Sequence, residues 1–245
     1  MAAILRAMGH HETPAQTSVL ADLHCHSDAS FDSNVDPFAL VERTRSRGIT
    51  VVAITDHGRI DGAVRARDAA LPGITVIVGE EMRTTAGDLI GLFLRSAIPD
   101  GLSLAETIDA IRLQDGVIGL PHPFDSRRPS IGRSLNQTAL AAIADRVDYV
   151  EVDNGRVTDP STRAAALQFA VEHRLPGVEV SDAHTLMEVG RAATGLDRPV
   201  ASARELLDAL AEIAVSRRLE RIERASIPDR IGSAVRSFRT RRRGR

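Results

Sequence analysis

Residues 19–32 read VLADLHCHSDASFD. The apolar opening marks a buried strand, and His24 and His26 stand at its end. Side chains two apart on a strand share a face, so the two imidazoles point the same way and can grip one ion. Cys25, between them, takes the other face. It reads as a small buried residue packing outward, although a thiolate is a good zinc ligand.

Working outward, the same construction recurs along the chain: a short apolar, β-branched run ending in histidine or an acid. Seven strands are expected, at Val19–Cys25, Ile49–Thr55, Ile74–Gly79, Asp88–Leu94, Val117–Leu120, Val147–Val152 and Gly177–Ser181. Longer amphipathic segments separate them. Helix starts are signalled by Asp36-Pro37 and by the capping boxes Ser103 to Glu106 and Ser202 to Glu205. Runs such as ITVVAIT (49–55) and ITVIVG (74–79) suit strands buried on both faces, which favours a closed barrel or doubly wound sheet over an antiparallel sandwich. At 245 residues the chain matches one α/β barrel.

The strand ends carry the chemistry. Strand two ends in TDH (55–57), strand three in GEEM (79–82), strand five in PHPFD (121–125), strand six in EVDNGR (151–156) and strand seven in SDAH (181–184). In a parallel barrel such ends converge on one mouth. Five of the eight histidines lie there: His24, His26, His57, His122 and His184. Burying so many imidazoles and acids together without an ion is costly. Glu80 and Glu81 are neighbours and cannot both face the mouth if the strand continues through them, so one is a ligand and the other is solvated or capping. Asp56 stands either behind His57 as its support or in a structural turn. Arg83, Arg127, Arg128 and Arg156 follow motif strands, where a guanidinium fork can take a phosphate in a bidentate grip.

From Ala21 to Arg191 these segments resemble the PHP (polymerase and histidinol phosphatase) superfamily. The resemblance implies a distorted seven-stranded, TIM-like (β/α)7 barrel with two or three divalent metal ions (Mn, Zn or Fe) that hydrolyses phosphate esters. His24, His26, Glu81 and Asp182 would then hold one ion. Glu81 would bridge to a second, bound also by His122, and His57 and His184 would help to hold a third. The resemblance selects Glu81 over Glu80, and Asp32 over Asp28 for the acid of the third site. Asp88, in GDLIGL, stands where the family often has histidine. Closely spaced divalent ions make hydroxide available near neutral pH and neutralise phosphoryl oxygens, and Glu81, His57 and Asp182 are the residues expected at the reacting centre. The expected substrate is a phosphomonoester or small phosphodiester: a nucleotide, a short oligonucleotide or a phosphorylated metabolite. The alternatives are an amidohydrolase-like C–N hydrolase and a metal-bearing regulatory module without turnover.

Composition narrows the field. All 31 basic residues are arginine, so no lysine exists for a Schiff base or a carbamylated metal ligand, which counts against the amidohydrolase alternative. Aromatic content is 3%, which argues against a row of stacking platforms for single-stranded nucleic acid. No apolar run reaches the length of a membrane span, and the stretch from Met1 to Ser18 lacks the apolar centre of a signal peptide. With one cysteine and no internal disulfide, a cytoplasmic address is expected. The sequence divides into an N-terminal extension (1–18), a barrel (19–215) and an Arg-rich tail (216–245). That tail carries eleven arginines against Glu220, Glu223 and Asp229. It is expected to form a basic helix, with Ile227, Ile231, Val235 and Phe238 on one face. Packing on the barrel, nucleic acid and an anionic surface are its candidate partners.

Overall fold

The computed structural model describes residues 19–213. The expected N-terminal extension and the basic tail helix lie outside the described residues. In chain order the elements are β1 (Val19–Cys25), α1 (Pro37–Ser46), β2 (Val51–Ile54), α2 (Asp61–Asp68), β3 (Thr75–Thr84), β4 (Gly87–Leu92), α3 (Leu104–Arg112), β5 (Val117–Leu120), α4 (Ile131–Ser134), α5 (Gln137–Ala144), β6 (Tyr149–Asn154), α6 (Pro160–His173), β7 (Gly177–Val180) and β8 (Thr194–Leu196). A last helix, α7, occupies 203–213.

The strands form one sheet in the order β7-β6-β5-β4-β3-β2-β1-β8. It rolls up into a nearly closed α/β barrel. Closure is made by the C-terminal end of β1: Cys25 bridges to Ala183, His26 N–H donates to Ala183 O at 2.9 Å, and Asp182 N–H donates to His24 O at 2.9 Å. The segments after β1 and β7 are thus sewn together at the mouth.

Two features differ from a repeated parallel βα pattern. The strand that starts near Ile74 does not stop at Gly79 but continues to Thr84, and only Thr85 and Ala86 separate it from β4. So short a connection can join only antiparallel strands, and β4 runs antiparallel to both β3 and β5. The second difference is an eighth strand, β8, only three residues long, antiparallel to the first half of β1.

The helices begin as their caps dictate. The Asp36 carboxylate accepts the N–H groups of Phe38 and Ala39 with Pro37 in the first turn, and Ser103 and Glu106 form both arms of a capping box. At α7 the Ser202 hydroxyl accepts from Glu205 N–H, but Glu205 reaches one residue further back, to Ala201 N–H. Among the described residues no helix is long and apolar enough to cross a membrane.

Three apolar clusters hold the layers together. The barrel interior is filled by Ala21, Leu23, Val51, Ala53, Ile77, Ile90, Leu92, Val117, Tyr149, Val178 and Val180, joined by Leu206, Ala209 and Leu210 of α7. The outer faces of the strands pack under α1 and α2 through Cys25, Val52, Ile54 and Val78. Under α3 to α6 the same layer runs through Met82, Leu89, Ile118 and Val150. Cys25 is therefore buried outward, among aliphatics. Its strand slips in register against β2 between Asp22 and Cys25, so Leu23 joins the interior core while the next residue, His24, already turns to the mouth. Gly119 shows how tight the interior is: a Cβ there would run into the ring of Tyr149.

Candidate metal centre

Six strands deliver side chains to the mouth. His24 ends β1 and His26 follows it, Asp32 sits in the loop before α1, and His57 follows β2, where it bridges to Glu81 of β3. Asp88 is the second residue of β4, and because β4 is antiparallel this start of the strand, where Asp88 pairs with Arg83, lies at the same mouth as the last residues of the parallel strands. His122 follows β5, and Asp182 and His184 follow β7. His122 and Asp182 have positive φ, 24° and 52°. That left-handed backbone is unfavourable for residues with a Cβ. It is held by hydrogen bonds: His122 N–H donates to Glu151 Oε2 at 2.9 Å, and Asp182 N–H to His24 O.

The structure brings all nine expected ligand residues together. Eight of them form three groups, each with donor atoms within 4.8 Å of one another: His24, His26 and Glu81; Glu81, Asp88 and His122; and His26, Asp32, His57 and His184. In the first, His24 Nε2 lies 2.9 Å from His26 Nε2 and 3.1 Å from Glu81 Oε2. The ninth residue, Asp182, joins it, with Oδ1 3.5 Å from both imidazole nitrogens. In the second, the other Glu81 oxygen, Oε1, lies 3.1 Å from His122 Nε2. In the third, Asp32 Oδ2 is 3.0 Å from His184 Nε2 and 3.5 Å from His57 Nε2. Glu81 and His26 are each shared by two groups.

These residues fit divalent ions. Ligand-to-ligand separations near 3 Å are the edges expected around an ion held at about 2.1 Å by nitrogen and oxygen. The Glu151 carboxylate, which can only accept, takes the Nδ1–H of His24 at 2.7 Å and leaves Nε2 of the neutral ring as a lone-pair donor. Among the described residues the buried Nδ1 atoms of His26 and His122 have no hydrogen-bond partner, so their polar engagement is through Nε2, toward the centre.

Electrostatics says the same. Burial opposes charge on Glu81, but the imidazolium charge of His24 and hydrogen bonds from His122, His24 and His26 hold its carboxyl well below the usual range. Burial pulls His26 down, yet its hydrogen bonds to Asp182 and Glu81 push it up to about 9. Burial and the neighbouring Glu81 charge push Asp88 up to about 6. The buried carboxylates draw positive charge onto the histidines, and divalent cations are the other source of that charge.

The arginines divide. Arg83, Arg127, Arg128 and Arg156 all line an open cavity of about 500 Å³ over the centre. Arg128 is committed: its Nη1 lies 3.1 Å from Asp182 Oδ2 and 3.3 Å from Asp125 Oδ2. Arg156 lies against the His184 ring, with Nη1 3.0 Å from Nε2, and Arg83 Nε is 3.5 Å from Asp88 Oδ1. One expectation needs correction. Glu80 is not solvated: it is buried on the outer face of β3, where Oε2 accepts Ile98 N–H at 2.8 Å. Of the two readings of Asp56, support of His57 or a structural turn, the contacts favour the second. Asp56 accepts both the N–H and the hydroxyl of Ser27, which pins the loop after β1 to the end of β2.

Sequence reasoning missed Glu151, Asn154, Arg191 and Phe31. Glu151 Oε2 accepts from Asn154 Nδ2 as well as from His122 N–H, and the same Asn154 amide donates to Asp182 Oδ2 at 3.0 Å. One carboxylate thus positions three candidate ligands. Its signal is an acid at position 151 between Val150 and Val152, but its partner His24 lies 127 residues away.

A family model for the PHP domain matches residues 22–151, and one described as PHP-associated matches residues 160–215. An uncharacterized protein of Methanocaldococcus jannaschii is 39% identical over 163 residues, covering 62% of this chain and 91% of the relative. A 5'-3' exoribonuclease of Haemophilus influenzae is 32% identical over 145 residues, 54% of this chain and 53% of the enzyme. Among solved structures, a two-domain protein from Bacteroides vulgatus containing a predicted PHP-like metal-dependent phosphoesterase superposes with a TM-score of 0.64 at 22% identity, over 80% of this chain and 64% of that one. The chain thus spans about half of the exoribonuclease and less than two thirds of the two-domain protein, and the likeness to the latter is one of fold.

Proposed function

The chain belongs to the PHP domain family, and from that premise we propose that it is a metal-dependent phosphoesterase hydrolysing a phosphomonoester or small phosphodiester, such as a nucleotide, a short oligonucleotide or a phosphorylated metabolite. One observation carries the reading above the rest: the two oxygens of Glu81 face different donor groups, 3.1 Å from His24 on one side and 3.1 Å from His122 on the other. A carboxylate so placed would serve two ions at once, were both groups filled.

In this proposal His24, His26, Glu81 and Asp182 hold one ion. Glu81, Asp88 and His122 hold a second, and Asp32, His57 and His184, with His26 beside them, hold a third. Divalent ions such as Mn, Zn or Fe, when bound, would activate water and neutralise phosphoryl charge during in-line displacement. The protein's own part is positional. Glu81 offsets repulsion between neighbouring dications, and Glu151 fixes the tautomer of His24. Arg83, Arg127, Arg156 and Arg191 face the cavity and draw a phosphate ester in; Arg128, tied to Asp182 and Asp125, steadies Asp182 instead. A cytoplasmic setting suits a chain whose single thiol is unpaired and buried.

The test is a turnover screen of phosphate esters on protein reconstituted separately with Mn²⁺, Zn²⁺ and Fe²⁺. Hydrolysis of at least one ester class, abolished by chelation, is expected. Metal-loaded protein that cleaves C–N substrates and no phosphate ester would overturn the reading.

A further inference from the structure

We propose that the ring of Phe31 is a stacking platform for one planar heteroaromatic ring of the substrate, a nucleobase, so that the mouth selects nucleotides over phosphate esters without a ring. The proposal rests on the phosphoesterase reading above and names the substrate class of that same site.

Phe31 is 78% exposed, in a chain with little aromatic surface to spare. Leaving a phenyl ring in water is unfavourable, and nothing in the packing of the barrel requires it there. The other exposed phenylalanine among the described residues, Phe38, is covered by the Arg65 guanidinium 5.9 Å from its ring centre. Phe31 makes only one ring contact among the described residues: it stacks on His57, with centroids 5.0 Å apart and planes 27° from parallel. His57 backs one face, and the ring lines the same cavity as Arg83, Arg127, Arg156 and Arg191.

The platform is held in advance of any ligand. The residue before it, Ser30, donates its hydroxyl to Asp32 Oδ1 at 2.7 Å, and the residue after it, Asp32, is fixed to His184 at 3.0 Å. Phe31 is therefore gripped on both sides by the candidate third ion group, and a ring laid on it continues the His57–Phe31 stack. The rest of the cavity lining decides what kind of group this is. Asp125, Thr158 and Glu188 join the arginines there, so an alkyl chain would find only Phe31 and Pro129 among mostly polar walls. A heteroaromatic ring presents a face to Phe31 and polar edges to the walls, while the arginines take its phosphate. A cavity of about 500 Å³ accommodates a mononucleotide. One platform admits one base, which agrees with the scarcity of aromatics that argues against binding an extended single strand.

The experiment compares a nucleoside 5'-monophosphate with ribose 5-phosphate, on the Mn²⁺-loaded full chain and its Phe31→Leu and Phe31→Tyr variants. Wild type is expected to favour the nucleotide in kcat/KM by about tenfold to hundredfold, the range of a base–aromatic stack. Phe31→Leu should lose most of that ratio and Phe31→Tyr should keep it. Equal use of both esters by wild type, or a ratio that survives Phe31→Leu, would overturn the platform. Calorimetric binding of the same two compounds reads the platform without turnover. A nucleotide preference in binding that is lost in Phe31→Leu upholds it even where no ester is cleaved, and that second outcome counts against the phosphoesterase reading alone.

Discussion

Two carboxylates stand side by side on β3, and the two faces of that strand treat them in opposite ways. Both are buried. Glu81 faces the barrel mouth, where imidazoles on three sides hold its carboxyl well below the usual range against the effect of burial. Glu80 faces outward, in line with Val78 and Met82 under the helices; one oxygen takes the Ile98 N–H and the other has no partner among the described residues. Burial therefore wins there and pushes Glu80 up to about 7. The same residue type, buried in both places, is an anion on one face and an acid that keeps its proton up to about neutral pH on the other. What separates them is the supply of positive charge, which the mouth concentrates and the helix-covered face lacks.

The strongest way to break that contrast is to neutralise Glu81. Glu81→Gln keeps the shape and removes the charge that would sit between two ions, so turnover should fall by about three orders of magnitude or more. Elemental analysis should show fewer than the two or more transition-metal ions expected for wild type, with an unchanged circular dichroism spectrum. Equal turnover by the variant at saturating Mn²⁺ would sink the bridging role.

How much of this was legible beforehand follows from range. The apolar runs locate seven strands, and the histidines and acids at their ends mark the mouth, because each signal lies within a few residues of itself; it took the family resemblance to choose Glu81 over Glu80 and Asp32 over Asp28 and to single out Asp88. The hairpin of β3 and β4 was hidden because Glu81 and Arg83 turn inward at the mouth while Met82 packs outward, which inverts the usual polarity of a strand. Three-residue β8 is too short to show a period. Glu151 stood in plain sight in YVEVDN, but an acid within a strand names no partner until the barrel closes and brings His24 to 2.7 Å.

Glu151 sharpens the comparison as a third buried carboxylate, one that holds ligands in place without belonging to a candidate ion group. Replacing it with glutamine puts an amide N–H₂ against either His24 Nδ1–H or the His122 and Asn154 donors, so one of these contacts must fail. Loss of such support behind a metal-ligating histidine costs about ten- to a hundredfold in metal affinity. Competition titration with Zn²⁺ or Mn²⁺ should show that loss in Glu151→Gln. An unchanged affinity would mean that His24 is oriented by its neighbours alone.

The smallest effect belongs to Glu80, and it concerns stability. Its folded-state pKa, about 7, stands above the ordinary glutamate value of 4.5, so between these values the native chain holds a proton that the unfolded chain has released. The sign follows: between these values the unfolded state binds fewer protons, and stability falls as pH rises until Glu80 is ionised in both states. The contribution is present below about pH 4.5 and lost through about pH 7, amounting to about 2 kcal/mol between roughly pH 5 and pH 8. Asp22 and Asp88, both pushed up to about 6, titrate over the same range, so the informative quantity is the difference between wild type and Glu80→Gln, measured by urea unfolding at both pH values. Gln still accepts the Ile98 N–H but does not titrate. Relative to this variant, wild type should lose stability on going to the higher pH. A difference that stays constant would show that Glu80 is ionised throughout, and that the outer face of β3 supplies a cation or water that the contrast with Glu81 leaves no room for.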